Sequence, residues 1–206
     1  YLADITSGAL ALTDQTVTVN SGVGLSVANA RSIADDTTGA VTATIASGVH
    51  VSVLTTLHNT GSGTETNAWT ITVAGADAAN EVTAAELNTL DSATSVAVNV
   101  NAITELKASD LTDLSTFHTN RANFSNTGNI ATINLTDNGG AGTSVDYSTL
   151  ETIVDNYRAA GAAGINTNAV FKFTAGDAIT IDDTDEVTAY LADITSGALA
   201  LTDQTV

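Results

Sequence analysis

The chain of 206 residues contains no cysteine, no proline and no methionine. Without cysteine there is no disulfide, no thiolate nucleophile and no cysteine-ligated zinc, although an exported protein dispenses with cysteine as readily as a cytosolic one. Lysine and arginine together number 5 against 23 aspartates and glutamates, a formal net charge of -18. Nucleic-acid partners are therefore not expected, because phosphates have to be neutralised by cations. Aromatic side chains are scarce too, with one tryptophan, which argues against a sugar-binding face built by stacking. No apolar run approaches the roughly 18 residues of a membrane-spanning helix, so no membrane insertion is expected, and no signal-peptide pattern opens the chain. With no initiator methionine, Tyr1 is not expected to be a native N-terminus.

What is present in abundance is threonine and alanine, with apolar residues at 43% and charged ones at 14%. That apolar fraction is enough for a core at this length. Valine, isoleucine and leucine alternate with polar residues throughout, which excludes disorder by composition.

The dominant feature is a repeat. Residues 1–17 and 190–206 both read YLADITSGALALTDQTV, identical at every position with a period of 189. Residues 185–194 have an acidic first turn and carry Val187, Tyr190, Leu191 and Ile194 on one side, which predicts a short helix buried through those four positions. Tyr1 then falls inside the equivalent helix and Val206 inside a strand, so the chain is expected to be cut from a longer tandem array. Residues 1–17 would end one repeat and 18–206 would form the next. A weaker repeat at an offset of 57 aligns Ala28 with Ala85, Ile33 with Leu90, Thr37 with Thr94, Val41 with Val98 and Leu54 with Leu111. It divides the long repeat into three strand–helix–strand–helix units, over about 17–70, 71–132 and 133–205.

Period-two alternation marks the strands. Val41, Ala43 and Ile45 face inward against Thr42 and Thr44; Trp69, Ile71 and Val73 against Thr70 and Thr72; Val96, Val98 and Val100 against Asn99 and Asn101; Ile133 and Leu135 against Thr132 and Asn134. Between them lie helical stripes, Leu111, Leu114 and Phe117, then Leu150, Ile153, Val154 and Tyr157. Capping boxes are expected from Thr83 to Glu86 and from Ser148 to Glu151. Strand and helix in alternation call for parallel strands with right-handed crossovers. The expected fold is thus an α/β repeat, an open-ended right-handed parallel β-solenoid with short helices between strands. Its natural partners would be adjacent identical repeats, head to tail, in one polypeptide or in a homopolymer.

The segment TAAELNTLDSATSVAVNVNA, 83–102, and less fully 27–46, resembles the Ala/Thr-rich repeats of giant secreted surface proteins of marine bacteria, especially cyanobacteria. The resemblance implies an acidic, repetitive structure at the cell surface and carries no functional residues with it.

Few motifs point to chemistry. His50, His58 and His118 have no metal-site spacing, no serine sits in a GxSxG elbow, and SGVGLSVANA lacks the lysine of a phosphate loop. Two acidic loops remain. DNGGAGTSVD, 137–146, lacks the order of a calcium-solenoid loop. The stretch 175–186 gathers Asp177, Asp182, Asp183 and Asp185 with Glu186; carboxylates and turn carbonyls suit calcium, the one cofactor considered. The same residues also suit a solvated helix start, whose free N–H groups attract Asp and Glu. Thr16, Thr18, Thr42, Thr44, Thr70 and Thr72 would form ranks on a flat face, a pattern resembling ice-binding solenoids, although threonine is an ordinary exposed strand residue. The function expected is a non-catalytic structural repeat of an extracellular filament, stalk or giant cell-surface protein. The alternative is a ligand-binding adhesin stalk for calcium, glycan or ice.

Overall fold

The computed structural model describes residues 13–20, 22, 24–58, 66–75, 81–108, 110–135, 144–161, 164–173 and 178–200. They form two compact units. The first gathers the described residues up to Gly75 with Glu86–Ala102 and Ala122–Asn126; the second gathers those of Ala76–Ala85, Ile103–Arg121 and Thr127–Val206.

In the first unit β1 (Val17–Val19), β2 (Val41–Thr44) and β3 (Ala68–Thr70) pair in parallel in the order β1-β2-β3. Val17 stands beside Val41, and Ala43 beside Trp69. Alternation decides which side is buried: Val41, Ala43, Ile45, Trp69, Ile71 and Val73 are all in the core, each large side chain contributing about 1.5–3 kcal/mol. Helix α1 (Val27–Asp35) is capped by Ser26, whose hydroxyl accepts from the Asn29 N–H at 3.2 Å, and it buries Val27, Ala30, Ile33 and Ala34. A single turn, α2 (Val51–Leu54), follows β2. Helix α3 (Ala84–Ser92) begins at the position that the offset of 57 assigns to α1, and the two have the same length. Its Leu87 and Leu90 are buried, and a two-stranded pair of β4 (Val98–Asn99) with β6 (Phe124–Ser125) completes the unit.

The turns that follow α1 and α3 are built alike. The Thr37 hydroxyl donates to the Gln15 carbonyl at 2.6 Å and accepts from the Gly39 N–H. The Thr94 hydroxyl donates to the Trp69 carbonyl at 2.8 Å and accepts from the Val96 N–H. Thr38 and Ser95 each send their N–H and their hydroxyl to one carbonyl, that of Thr13 and of Asn67 respectively. Asn67 is fully buried; its Oδ1 accepts from the Val41 N–H at 2.8 Å and its Nδ2 donates to the His58 carbonyl at 3.0 Å.

The second unit is centred on a parallel four-stranded sheet in the order β11-β9-β7-β5, from β5 (Glu105–Ala108), β7 (Thr132–Leu135), β9 (Val170–Phe173) and β11 (Leu199–Ala200). Leu106, Ile133, Phe171 and Leu199 stand in register across it. Helix α4 (Leu111–Thr119) sets Leu114 and Phe117 against α5 (Tyr147–Arg158), which buries Tyr147, Leu150, Ile153, Val154 and Tyr157. The Tyr157 hydroxyl donates to the Leu114 carbonyl at 2.9 Å, and its ring meets Phe171 edge-on at 5.6 Å. A short parallel pair, β8 (Ser144–Asp146) with β10 (Ala178–Thr180), leads to α6 (Thr184–Ser196). Gly197 ends α6 in the left-handed conformation, φ 74°, where a side chain would be strained.

The open-ended β-solenoid expected from the repeats is not the fold. The molecule is a mixed α/β structure in which the described strands fall into four separate small parallel sheets, two of them with only two strands, accompanied by six described helices. The physical reason lies in strand length. Runs of two to four residues are interrupted by helices as long as the three-and-a-half turns of α6 and by turns whose backbone bonds go to side chains, so ladders stop before they join. Isolated bridges at Thr72–Asn99 and Thr83–Lys107 mark where pairing stops short. The stripe expected on the last helix also differs. Tyr190 alone is buried on α6, while Val187, Leu191 and Ile194 remain 42%, 55% and 37% exposed.

Asn67→Leu keeps side-chain volume while removing both polar contacts from a buried position. We expect a loss of about 2–4 kcal/mol, read as a lower denaturant midpoint with an unchanged slope.

Candidate functional site

Titratable groups converge in the second unit, where α5 and α6 meet. β8 delivers Asp146 as the N-cap of α5: its Oδ1 accepts from the Ser148 N–H and hydroxyl at 3.0 Å, and its Oδ2 from the Thr149 hydroxyl at 3.2 Å. These bonds, those from Ser148 foremost, hold the Asp146 carboxyl below its ordinary range. The cap is thus Asp146 and not Ser148; a carboxylate with two oxygens serves several donors that one hydroxyl cannot. Tyr147, the next residue, is buried and donates its hydroxyl to Asp193 Oδ2 on α6 at 2.8 Å. Its ring meets that of Tyr190 edge-on, with centroids 5.5 Å apart and planes at 90°.

Burial, then the bond to Asp193, raises the Tyr147 hydroxyl well above its usual range. The phenol therefore stays protonated and acts as a donor. Burial also raises Asp193, outweighing the lowering by its bond to Tyr147; Asp155 adds to the rise and Arg158 opposes it. Glu151 is raised by burial, then by Asp155, Asp193 and Glu186. The arrangement clasps two helices. The phenol, kept protonated, offers Asp193 a hydrogen bond and not a nucleophile.

A surface groove of about 450 Å³ runs along α4 and α5, lined by Leu111, Thr112, Ser115, Ser148, Thr149, Thr152 and Ile153. Three of its hydroxyls are turned to their own helix and its cap: Thr152 donates to the Ser148 carbonyl, and Ser148 and Thr149 to Asp146. In the first unit a smaller hollow of about 260 Å³ lies over the Thr94–Ser95 turn.

The acidic residues expected to hold calcium divide. Asp177 lies outside the described residues, as do 137–143 of the other acidic loop. Asp182, Asp183 and Asp185 form the entry to α6: Asp183 Oδ1 accepts from the N–H groups of Asp185 and Glu186 at 2.9 Å, and Glu186 Oε2 accepts from the Asp182 N–H at 2.7 Å. Among the described residues no group of three or more histidines and carboxylates is placed to share an ion. The histidines stand apart in role. His58 Nε2 lies 3.3 Å from Asp35, His50 precedes α2, and the His118 ring lies 5.5 Å from that of Tyr157. Thr18 stands beside Thr42 and Thr44 beside Thr70, all exposed, but Ala68 stands beside Thr42 and Thr72 meets Asn99, so the ranks are short. Sequence reasoning missed the clasp; its signal is an aromatic residue directly after a capping aspartate, with Tyr190 and Asp193 three apart on the next helix.

No protein-family model, no curated protein and no solved structure matches this chain.

Two outcomes follow for these carboxylates. Asp183→Asn retains the cap and leaves the melting temperature nearly unchanged, whereas Asp183→Ala costs about 1 kcal/mol in the presence or absence of calcium. The raised Asp193 and Glu151 carboxyls bind protons more tightly in the folded state. Stability therefore falls as pH climbs from the ordinary carboxylate value through the raised one, and stays lower above it. Asp193→Asn, which still accepts from Tyr147, should raise the melting temperature at about pH 7 and flatten its fall above about pH 4. The gain is modest because Asp193 is half-exposed and water screens it.

Proposed function

We propose that this chain is a structural, non-catalytic segment of a tandem-repeat protein that forms an extracellular filament, stalk or giant surface protein, with identical copies joined head to tail. The observation carrying the reading is the identity of 1–17 with 190–206 at a separation of 189. A surface that can accept one end of the chain can by the same contacts accept the other. The charge of -18 supports it, since rods of one sign repel sideways association while contacts at their ends remain available. The outside location rests on the resemblance of 27–46 and 83–102 to secreted surface repeats.

The test uses an antibody raised against residues 83–102 on the source cells. A denatured product far larger than the 20.7 kDa of this chain, removed by protease added outside intact cells, is the expected result. A protease-resistant band near 20.7 kDa would refute the reading.

A further inference from the structure

Asn-x-Ser/Thr, the acceptor pattern for N-linked sugar, occurs twice in the sequence, at Asn123-Phe124-Ser125 and at Asn134-Leu135-Thr136. The fold treats the two differently. Asn123 closes a single 3-10 turn, Arg121–Asn123, and β6 begins at the next residue. Phe124 is turned into the core at 6% exposure, while Asn123 is exposed and Ser125 half-buried. Among the described residues neither the Asn123 amide nor the Ser125 hydroxyl is engaged in a hydrogen bond. Directly after the pattern the backbone turns at Asn126, φ 68°, whose own amide is tied to Asn99 Oδ1 at 3.0 Å.

Asn134 is placed the other way. It lies within β7, between β5 and β9, with Lys107 in register on one side and Lys172 on the other. It is half-buried, and its Nδ2, the atom to which a sugar attaches, donates to Glu105 Oε1 at 3.3 Å. Thr136 lies outside the described residues. The folded chain thus offers the first asparagine and withholds the second.

Space for a sugar lies beside Asn123. The hollow of about 260 Å³ in the first unit is lined by Ala122 and Asn123 together with Thr94, Ser95, Val96 and Ala97. Ser95 and Ala97 are small and exposed, and none of the described lining residues is charged, in a chain of net charge -18. A neutral sugar ring seated there buries no ionised group.

We propose that Asn123 is the attachment site of an N-linked glycan whose first sugar lies over the Thr94–Ala97 turn. The proposal rests on the reading of the chain as exported, because this modification belongs to secreted chains. The donor is a lipid-linked oligosaccharide diphosphate, used by a membrane transferase. The bond from Asn123 Nδ2 to the anomeric carbon forms as the bond from that carbon to the phosphate oxygen breaks. Nδ2 gives up one proton, and the lipid diphosphate leaves with the electron pair. A bulky, hydrated and neutral group then stands on the surface of the first unit.

The test uses the full-length protein recovered from the source cells with the antibody against residues 83–102. Fragmentation of its peptides by mass spectrometry should place sugar on Asn123 and none on Asn134. In the same cells Asn123→Gln and Ser125→Ala should each speed migration on a denaturing gel by the same step. Ser125→Thr should keep the slower form, and Asn134→Gln should leave it unchanged. Bare Asn123 in the recovered protein overturns the proposal, and so does sugar on Asn134 alone. Protein shaved from intact cells with Asn123 bare leaves the surface reading standing and this one fallen. Sugar on Asn123 of a product that external protease does not reach does the reverse.

Discussion

Parallel strands of two to four residues form too few ladder bonds to hold one another in place, so in the first unit the hydrogen bonds made by Thr37, Thr94 and Asn67 carry the fold. Each takes a backbone group that a longer ladder would have satisfied and pairs it with a side chain inside the core. A buried amide or carbonyl left alone costs about 1–3 kcal/mol, comparable to burying a whole leucine. Position of the polar residue therefore matters as much as the apolar pattern. It also explains the composition: threonine supplies a β-compatible side chain on exposed strands and a donor–acceptor pair at turns.

The second unit reaches the same end by different means. There the helices are longer and the aromatic residues gather, with Phe117, Tyr157 and Phe171 around one hydroxyl-to-carbonyl bond and Tyr147 with Tyr190 around another polar contact. In so acidic a chain, carboxylates cannot all find cations. Asp193 is instead paired with a phenol, a donor whose own proton is held in place by burial. Burial first, and the neighbouring Asp155 after it, raises the carboxyls of Glu151 and Asp193.

The strands were legible because alternation is local: Val41, Ala43 and Ile45, or Trp69, Ile71 and Val73, are buried where period two places them. The stripes of Leu114 and Phe117 on α4 and of Leu150, Ile153, Val154 and Tyr157 on α5 were legible because helical spacing is local too. The sheet architecture was not, because whether neighbouring ladders merge depends on where turns divert backbone bonds, and neither Asn67 nor Thr94 announces a partner so distant along the chain. Val187, Leu191 and Ile194 show the opposite error. Spacing gives a helix its stripe, yet only tertiary neighbours decide whether the stripe is covered. In the acidic cluster, the choice between ion and cap turned on backbone N–H groups that the spacing of carboxylates does not display.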